Sequence, residues 1–410
     1  MSEQDKKSIG SAPSRRQVLA GAAGAGAALG LGIFAPAVRA QMNAPVKIGC
    51  LISQSGVFAV NGANVLDGMS LYFEKNGWTA GGRKIELVKE DDEAKPQLGL
   101  EKVKKMVDSD KVDIVTGPIG SNVALAIIGF IKQSNSILIV DGAGVNAVTR
   151  EQKGPNIFRC STSSWQSNAP AGGWLYQNAV KEVMILASDY SGGHEAMDSF
   201  KEGFLPPGGK IVKEIWPPFS NTDYSAYLAE IKSSGVTTLY AYFTGSDAVR
   251  FITQFTEFGL HKDFKLTGTG FMVEDDALPA EGDAALGVVT GLHYASTLDT
   301  PANRKFVADY RAKTGQYPSC YSDYGYVCAT VIAEALKATQ GDAGDKKKLQ
   351  DAIRAVHFDA PRGPFRFDPE TQNVIQNIYI REVVRGDGRL ENKVIATIPD
   401  VRDPGKKLNS

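Results

Sequence analysis

Read as a string of apolar and polar positions, the chain repeats one unit: a short apolar run that stops in small polar residues. Val112, Ile114 and Val115 lead into Gly117-Pro118-Ile119-Gly120-Ser121-Asn122, and Ile137-Leu138-Ile139-Val140 into Asp141-Gly142-Ala143-Gly144. Val183-Met184-Ile185-Leu186 leads into Ala187-Ser188-Asp189-Tyr190, Leu239 to Phe243 into Thr244-Gly245-Ser246, and Phe264-Lys265-Leu266 into Thr267-Gly268-Thr269-Gly270. Near-continuous apolar runs are what parallel strands covered on both faces require. Between them the period changes to helical: Val65, Met69 and Tyr72, then Leu100, Val103 and Val107, then Tyr224, Tyr227, Leu228 and Ile231. Further strands are predicted at Val46 to Ile52, Lys84 to Lys89 and Gly287 to Leu292, and strand-like segments at 365–367, 374–384 and 394–398. Thr300-Pro301 predicts an N-cap with proline at the first helical position, and 324–336 a longer, mostly buried helix. Strand and helix alternating at this spacing predict an α/β fold of parallel βαβ units with right-handed crossovers.

In open α/β sheets ligands lie in the crevice beyond the carboxyl ends of the strands. Five such ends stripped of bulk point to one ligand among them. Ser121 falls where the N-cap of the following helix is expected, and a hydroxyl beside free N–H groups at a helix start suits an anion.

Composition then narrows the class. The chain has 410 residues, 43% hydrophobic and 22% charged, enough for two domains or lobes. Residues 1–40 read as a signal peptide of the twin-arginine route: Ser14-Arg15-Arg16-Gln17-Val18-Leu19, a Gly/Ala-rich apolar stretch, then Val38-Arg39-Ala40. The competing membrane anchor is disfavoured because Gly and Ala make the stretch weakly hydrophobic. Those 40 residues hold five Lys/Arg and two Asp/Glu, so 40 and 44 remain and the mature chain carries a formal −4. No Lys/Arg run argues for nucleic acid and no second segment for a membrane. No cysteine at the cleavage site invites lipid attachment. Cys50, Cys160, Cys320 and Cys328 are compatible with disulfides but lack a framework spacing, and Cys50 and Cys160 read as small buried hydrophobes beside strands.

Little is assembled for turnover. Gly142-Ala143-Gly144-Val145-Asn146-Ala147 satisfies G-x-G-x-x-A, but it falls late in the strand series and no acidic residue closes a strand about twenty residues on. His194, His261, His293 and His357 lack metal-ligand spacing, and Ser121 has neither a G-x-S-x-G elbow nor a local base. No catalytic residue, metal or cofactor is predicted.

Val46-Lys47-Ile48-Gly49 to Ser55-Gly56, Asp91-Asp92 to Pro96, Gly117 to Ser121, Val140 to Gly144, and Gly363-Pro364-Phe365-Arg366-Phe367-Asp368 together resemble the branched-chain amino-acid type of periplasmic solute-binding protein. The resemblance spans nearly the whole mature chain. It implies two Rossmann-like lobes with parallel sheets, 44–161 plus 292–367 and 162–291 plus 368–400, followed by a 401–410 tail. Three crossovers would join them near Cys160–Thr162, Thr290–Leu292 and Phe367–Pro369. The lobes would close on a small-molecule carboxylate and present it to an ABC permease in the inner membrane, the protein being a periplasmic monomer.

Carried over by position, Ser121 matches the family serine that holds the ligand carboxylate, and Ala143 the adjoining backbone contact. The neighbouring family threonine is Gly144 here, the acidic residue that meets a ligand ammonium falls on Gly270, and the aromatic after Asp189 falls on Gly192 with Tyr190 beside it. An ammonium buried without a carboxylate costs several kcal/mol. The pattern therefore keeps a carboxylate clamp and drops the amine clamp. Phe58, Trp165, Tyr190, Phe243 and Phe271 are available to flank a flat ring, and Asn61 and Thr244 complete the candidate site. The expected ligand is an aromatic acid of the benzoate or hydroxybenzoate kind. Asp141, Asp189, Asp247 and Glu274 also lie near strand ends, which leaves open a branched-chain or other amino acid. A ligand sensor on the same scaffold and a secreted hydrolase are the remaining alternatives.

Overall fold

The computed structural model describes residues 44–386 and 388–406. The predicted signal peptide lies outside them, as does the end of the tail. Two sheets organise the described chain. The first runs, in spatial order, Thr79–Ala80, Arg83–Glu90, Val46–Leu51, Ile114–Thr116, Ile137–Val140 and Ile157–Arg159; every neighbour is parallel except the opening hairpin. The second places Lys210–Ile215, Glu182–Ala187, Thr238–Tyr242, Lys265–Thr269 and Val289–Leu292 side by side and parallel. The strand Val374–Arg385 then joins antiparallel and carries Leu390–Val401 on one side and the Gly363–Phe367 and His357–Ala360 ladder on the other. The architecture is α/β in two lobes, and the C-terminal strand-like segments prove to be the antiparallel close of the second sheet.

The predicted helices form where an apolar stripe has a sheet to cover. Val65, Met69 and Tyr72 are buried on the helix Ala59–Lys75, and Val103 on Pro96–Asp108, which opens with proline at its first turn. Thr300 caps Pro301–Thr314 by accepting from the Asn303 N–H. The long buried helix starts four residues earlier than its apolar run indicates, at Cys320, and ends at Ala338. It packs on Ala59–Lys75 and so belongs to the first lobe. Ser121 corrects one expectation: Gly120 occupies the N-cap, Ser121 is the first residue of Ser121–Gln133, and no side chain caps that helix. Gly117, at φ +98°, makes the bend before it, and a Cβ there would lie 2.0 Å from the Leu51 carbonyl.

The chain leaves the first sheet after Arg159 and enters the second lobe through Ser164–Gln177, whose N-cap Ser163 forms a capping box with Gln166. It returns after Leu292. All four cysteines are buried and free. Among the described residues no helix is long and apolar enough to cross a membrane.

Candidate ligand-binding site

A chamber lies where the carboxyl ends of both sheets face each other. Its lining is Phe58, Ile119, Ser121, Gly142, Gly144, Thr162, Ser164, Tyr190, Tyr242, Thr244, Phe271 and Tyr321. Six of these lie in the segments just after Ile114–Thr116, Ile137–Val140 and Ile157–Arg159, three more after strands of the second sheet, and Tyr242 ends its own strand. None of the twelve is charged.

Five α-helices begin at this chamber. Ser121 opens one, Thr162 and Ser164 flank the N-cap of a second, Tyr190 is the N-cap of Ser191–Phe204, Thr244 precedes the Gly245 N-cap of Ser246–Glu257, and Tyr321 is the second residue of Cys320–Ala338. A helix start carries about half a positive charge on its unpaired N–H groups, but two of the five have spent theirs: the Ser164, Trp165 and Gln166 N–H groups donate to the Gly144 carbonyl, Asn146 Oδ1 and Ser163 Oγ, and the Cys320 N–H donates to Glu274 Oε2 at 2.7 Å. The starts of Ser121–Gln133, Ser191–Phe204 and Ser246–Glu257, which no side chain caps, remain to favour an anion. As a first helical residue, Ser121 offers its own N–H and its uncommitted hydroxyl together.

The walls are rings. Phe58 meets Phe219 at 5.6 Å, Phe219 meets Tyr190 at 4.6 Å, Tyr190 meets Tyr242 at 6.3 Å, Tyr242 meets Phe271 at 6.3 Å, and Phe271 meets Tyr321 at 5.8 Å. Two hydroxyl pairs run through this belt: Tyr190 with Tyr242 at 2.9 Å and Thr244 with Tyr321 at 2.8 Å. Burial holds the Tyr190 and Tyr321 phenols well above their ordinary range and pushes Tyr242 up to about 12, so all three stay protonated donors at neutral pH.

The lobes meet around the chamber. Thr244 and Tyr321 come from opposite lobes, and a Cβ on Gly245 would sit 2.1 Å from the Val57 carbonyl, so only glycine lets the two backbones approach. The space left is about 20 Å³ for the centre of a water-sized sphere, room for one or two waters. A larger ligand is therefore admitted only when the lobes part.

Of the ten site residues expected from sequence, Phe58, Ser121, Gly144, Tyr190, Thr244 and Phe271 line the chamber. The other four lie elsewhere. Ala143 is buried behind the wall, and its N–H already donates to the Pro118 carbonyl at 2.8 Å. Trp165 turns its indole N–H to Glu202 at 2.9 Å. Asn61 lines a neighbouring groove of about 350 Å³ with Val57, Val60, Ser246 and Val249. Gly270 faces Arg381, whose Nη2 would lie 2.2 Å from a Cβ added there and donates to the Gly270 carbonyl at 3.0 Å. Phe243, available to flank a ring, packs instead on Phe251 at 4.4 Å.

The four acids near strand ends are engaged away from the chamber or sealed off. Glu274 pairs with Arg381 at 2.8 Å, Asp247 accepts the Ser220 N–H at 2.9 Å and pairs with Arg250, and Asp189 meets His194 at 2.7 Å. Asp141 has no exposed surface. At Gly144 a Cβ would lie 2.9 Å from the Ser164 hydroxyl, so a serine from the next helix fills the space that a threonine side chain would need. Sequence reading missed Ile119, Gly142, Thr162, Ser164, Tyr242 and Tyr321. Thr162 and Ser164 carried a signal in following a short strand, whereas Tyr321 carried none.

Two α/β lobes with a closed polar and aromatic chamber at their strand ends define a solute-binding protein. The sequence pattern of the family described as periplasmic binding protein matches residues 45–389, and the chain belongs to that family, the solute-binding components of ABC transporters. It is 32% identical over 386 residues to the Leu/Ile/Val-binding protein homolog 6 of Brucella melitensis, covering 92% of this chain and 97% of that one. Among solved structures it is similar to a solute-binding protein of Rhodopseudomonas palustris BisB5 in complex with 3,4-dihydroxybenzoic acid, at 36% identity and TM-score 0.85 over 88% of this chain and 99% of that one. A second R. palustris solute-binding protein, in complex with benzoate, gives 32% identity and TM-score 0.84 over 89% and 100%.

Proposed function

We propose that this chain is the periplasmic binding component of an uptake system for aromatic carboxylates of the benzoate and hydroxybenzoate kind, exported through residues 1–40 and delivering its ligand to an inner-membrane permease. The carrying observation is the chamber: three uncapped helix starts, a belt of rings and no charged side chain. The carboxylate sits at Ser121 and Ser164 and the ring lies against Phe58, Tyr190, Tyr242 and Phe271. An amino acid would bury its ammonium with no carboxylate to meet it, at a cost of several kcal/mol. The benzoate and dihydroxybenzoate ligands of the two similar structures support this reading, while the Leu/Ile/Val-binding relative supports the amino-acid alternative.

Thermal shift against benzoate, 4-hydroxybenzoate, 3,4-dihydroxybenzoate, leucine and valine decides between them. At about 100 times its Kd a ligand adds ~2.7 kcal/mol to the stability of the folded state. The aromatic acids are expected to raise Tm and the amino acids to leave it in place; the reverse pattern returns the chain to amino-acid binding.

Ser121→Ala removes one donor to the anion, a loss of about 1–3 kcal/mol of binding, or roughly fivefold to 150-fold in Kd. Calorimetric titration reads this directly. Because the Ser121 hydroxyl caps nothing, Tm without ligand should hardly change, and an unaltered Kd would remove Ser121 from the site.

A further inference from the structure

Three ionisable groups that the chamber does not use are buried together where the chain passes between the lobes. His293, Asp323 and Arg362 have no exposed surface. Asp323 Oδ2 lies 2.5 Å from Arg362 Nη2 and 3.3 Å from His293 Nε2. Arg362 Nη1 donates to the Cys160 carbonyl at 2.7 Å and to Gln376 Oε1 at 3.0 Å. Tyr324 stacks on His293 with ring centres 4.5 Å apart. Its hydroxyl accepts the Thr162 N–H at 3.2 Å and stands 3.3 Å from His293 Nδ1.

His293 Nε2 and both Asp323 oxygens meet no partner in hydrogen-bond geometry, so the aspartate acts on the ring by charge and proximity. The Tyr324 hydroxyl, accepting from Thr162, has one proton left to give, and His293 Nδ1 is beside it. Either group can donate in that contact, and the ring is neutral. Around His293 stand Asp323 and Tyr324 from Cys320–Ala338, Arg362 from the turn before Gly363–Phe367, and Arg381 from Val374–Arg385, itself paired with Glu274. Burial, then Arg362 and Arg381, holds the imidazole well below its ordinary range, in agreement with a neutral ring.

A buried ion pair is weak support for stability, because apolar groups of the same shape serve as well. Its use lies in what it joins. Cys160 and Thr162 belong to the passage from the first lobe to the second, and His293 begins the passage back. Arg362 stands in the turn that opens the C-terminal ladder, and Gln376 on its strand Val374–Arg385. Asp323 and Tyr324 share their helix with Tyr321, and Thr162 and Tyr321 both line the chamber.

We infer that Tyr324, His293, Asp323 and Arg362 form a single buried cluster that fixes the lobes' closing geometry and holds Thr162 in the chamber wall. Tyr324 and His293 are thus positioning residues for ligand capture, whichever ligand the chamber takes.

Tyr324→Phe keeps the stacked ring and removes only the hydroxyl. Hydrogen exchange on the ligand-free protein should show the peptide spanning 161–164 losing protection about tenfold, with the interior of Ser164–Gln177 unchanged. With a ligand that raises Tm, Kd should weaken about tenfold and the ligand-induced fall in radius of gyration should shrink, while preference among ligands stays the same. His293→Gln, whose amide can still hydrogen-bond the Tyr324 hydroxyl, should bind as wild type, and His293→Leu should behave as Tyr324→Phe. Unchanged protection at 161–164 in Tyr324→Phe, or equal binding by the Gln and Leu variants, overturns the inference. The exchange measurement decides even if none of the five panel compounds binds.

Discussion

Gly68→Val is expected to destabilise the protein by about 3 kcal/mol or more, and to lower Tm by roughly 5 °C or more. The reason lies in how the helices Ala59–Lys75 and Cys320–Ala338 meet. A Cβ at Gly68 would stand 1.9 Å from the Ser322 carbonyl oxygen, and one at Gly325 would stand 1.9 Å from the Val65 carbonyl oxygen. Backbone faces backbone on both sides, so no side chain can rotate away and the helices must separate. Tyr321, Asp323 and Tyr324 ride on the second helix, so binding should fall with stability. Gly129→Ala is the control: that glycine is exposed on Ser121–Gln133, a Cβ there would have nothing within 4 Å, and removing its backbone freedom should add about 0.5–1 kcal/mol. Scanning calorimetry of both variants checks the pair, and a Gly68→Val melting within a degree of wild type refutes the close-packing argument.

The second large effect is a pH-dependent gain from Asp141→Asn. Asp141 is sealed from solvent, and neither carboxylate oxygen meets a donor in hydrogen-bond geometry. Burial pushes its pKa up to about 7, opposed only in part by the nearby Gly117 N–H, Cys328 thiol and Thr116 hydroxyl. With the folded pKa above the ordinary 3.8, the folded state binds the extra proton between these values. Stability is therefore greatest below about pH 4 and falls as pH rises through about 7. The gap between the two values amounts to about 4 kcal/mol as an order of magnitude. An amide has no charge to desolvate, so the variant should melt above wild type at pH 8 and converge with it near pH 4. Equal melting curves at pH 8 would mean that the Asp141 carboxylate is ionised without cost.

Much of this was legible from pattern. The small residues closing each apolar run announced both the parallel order and the place of the chamber, because a strand end that must approach a ligand cannot carry bulk. What pattern missed has physical causes. Ser121 reads as a cap by residue type, yet Gly120 takes the capping conformation and frees the hydroxyl. Tyr321 stands in the helical turn ahead of the apolar run that announces its helix, and Tyr242 reads as one more buried strand residue. Ala143, Trp165 and Gly270 sit at the right distance along the chain but are committed to Pro118, Glu202 and Arg381. The buried cluster of His293, Asp323 and Arg362 brings together three distant segments with no periodicity to announce it.

The hydroxyl contact between Thr244 and Tyr321 and the close approach of Val57 to Gly245 have a consequence for traffic through the site. Both contacts join the two lobes, so a ligand enters or leaves only as they break. The rate of release is then tied to the opening of the lobes and not to the ligand's own contacts alone.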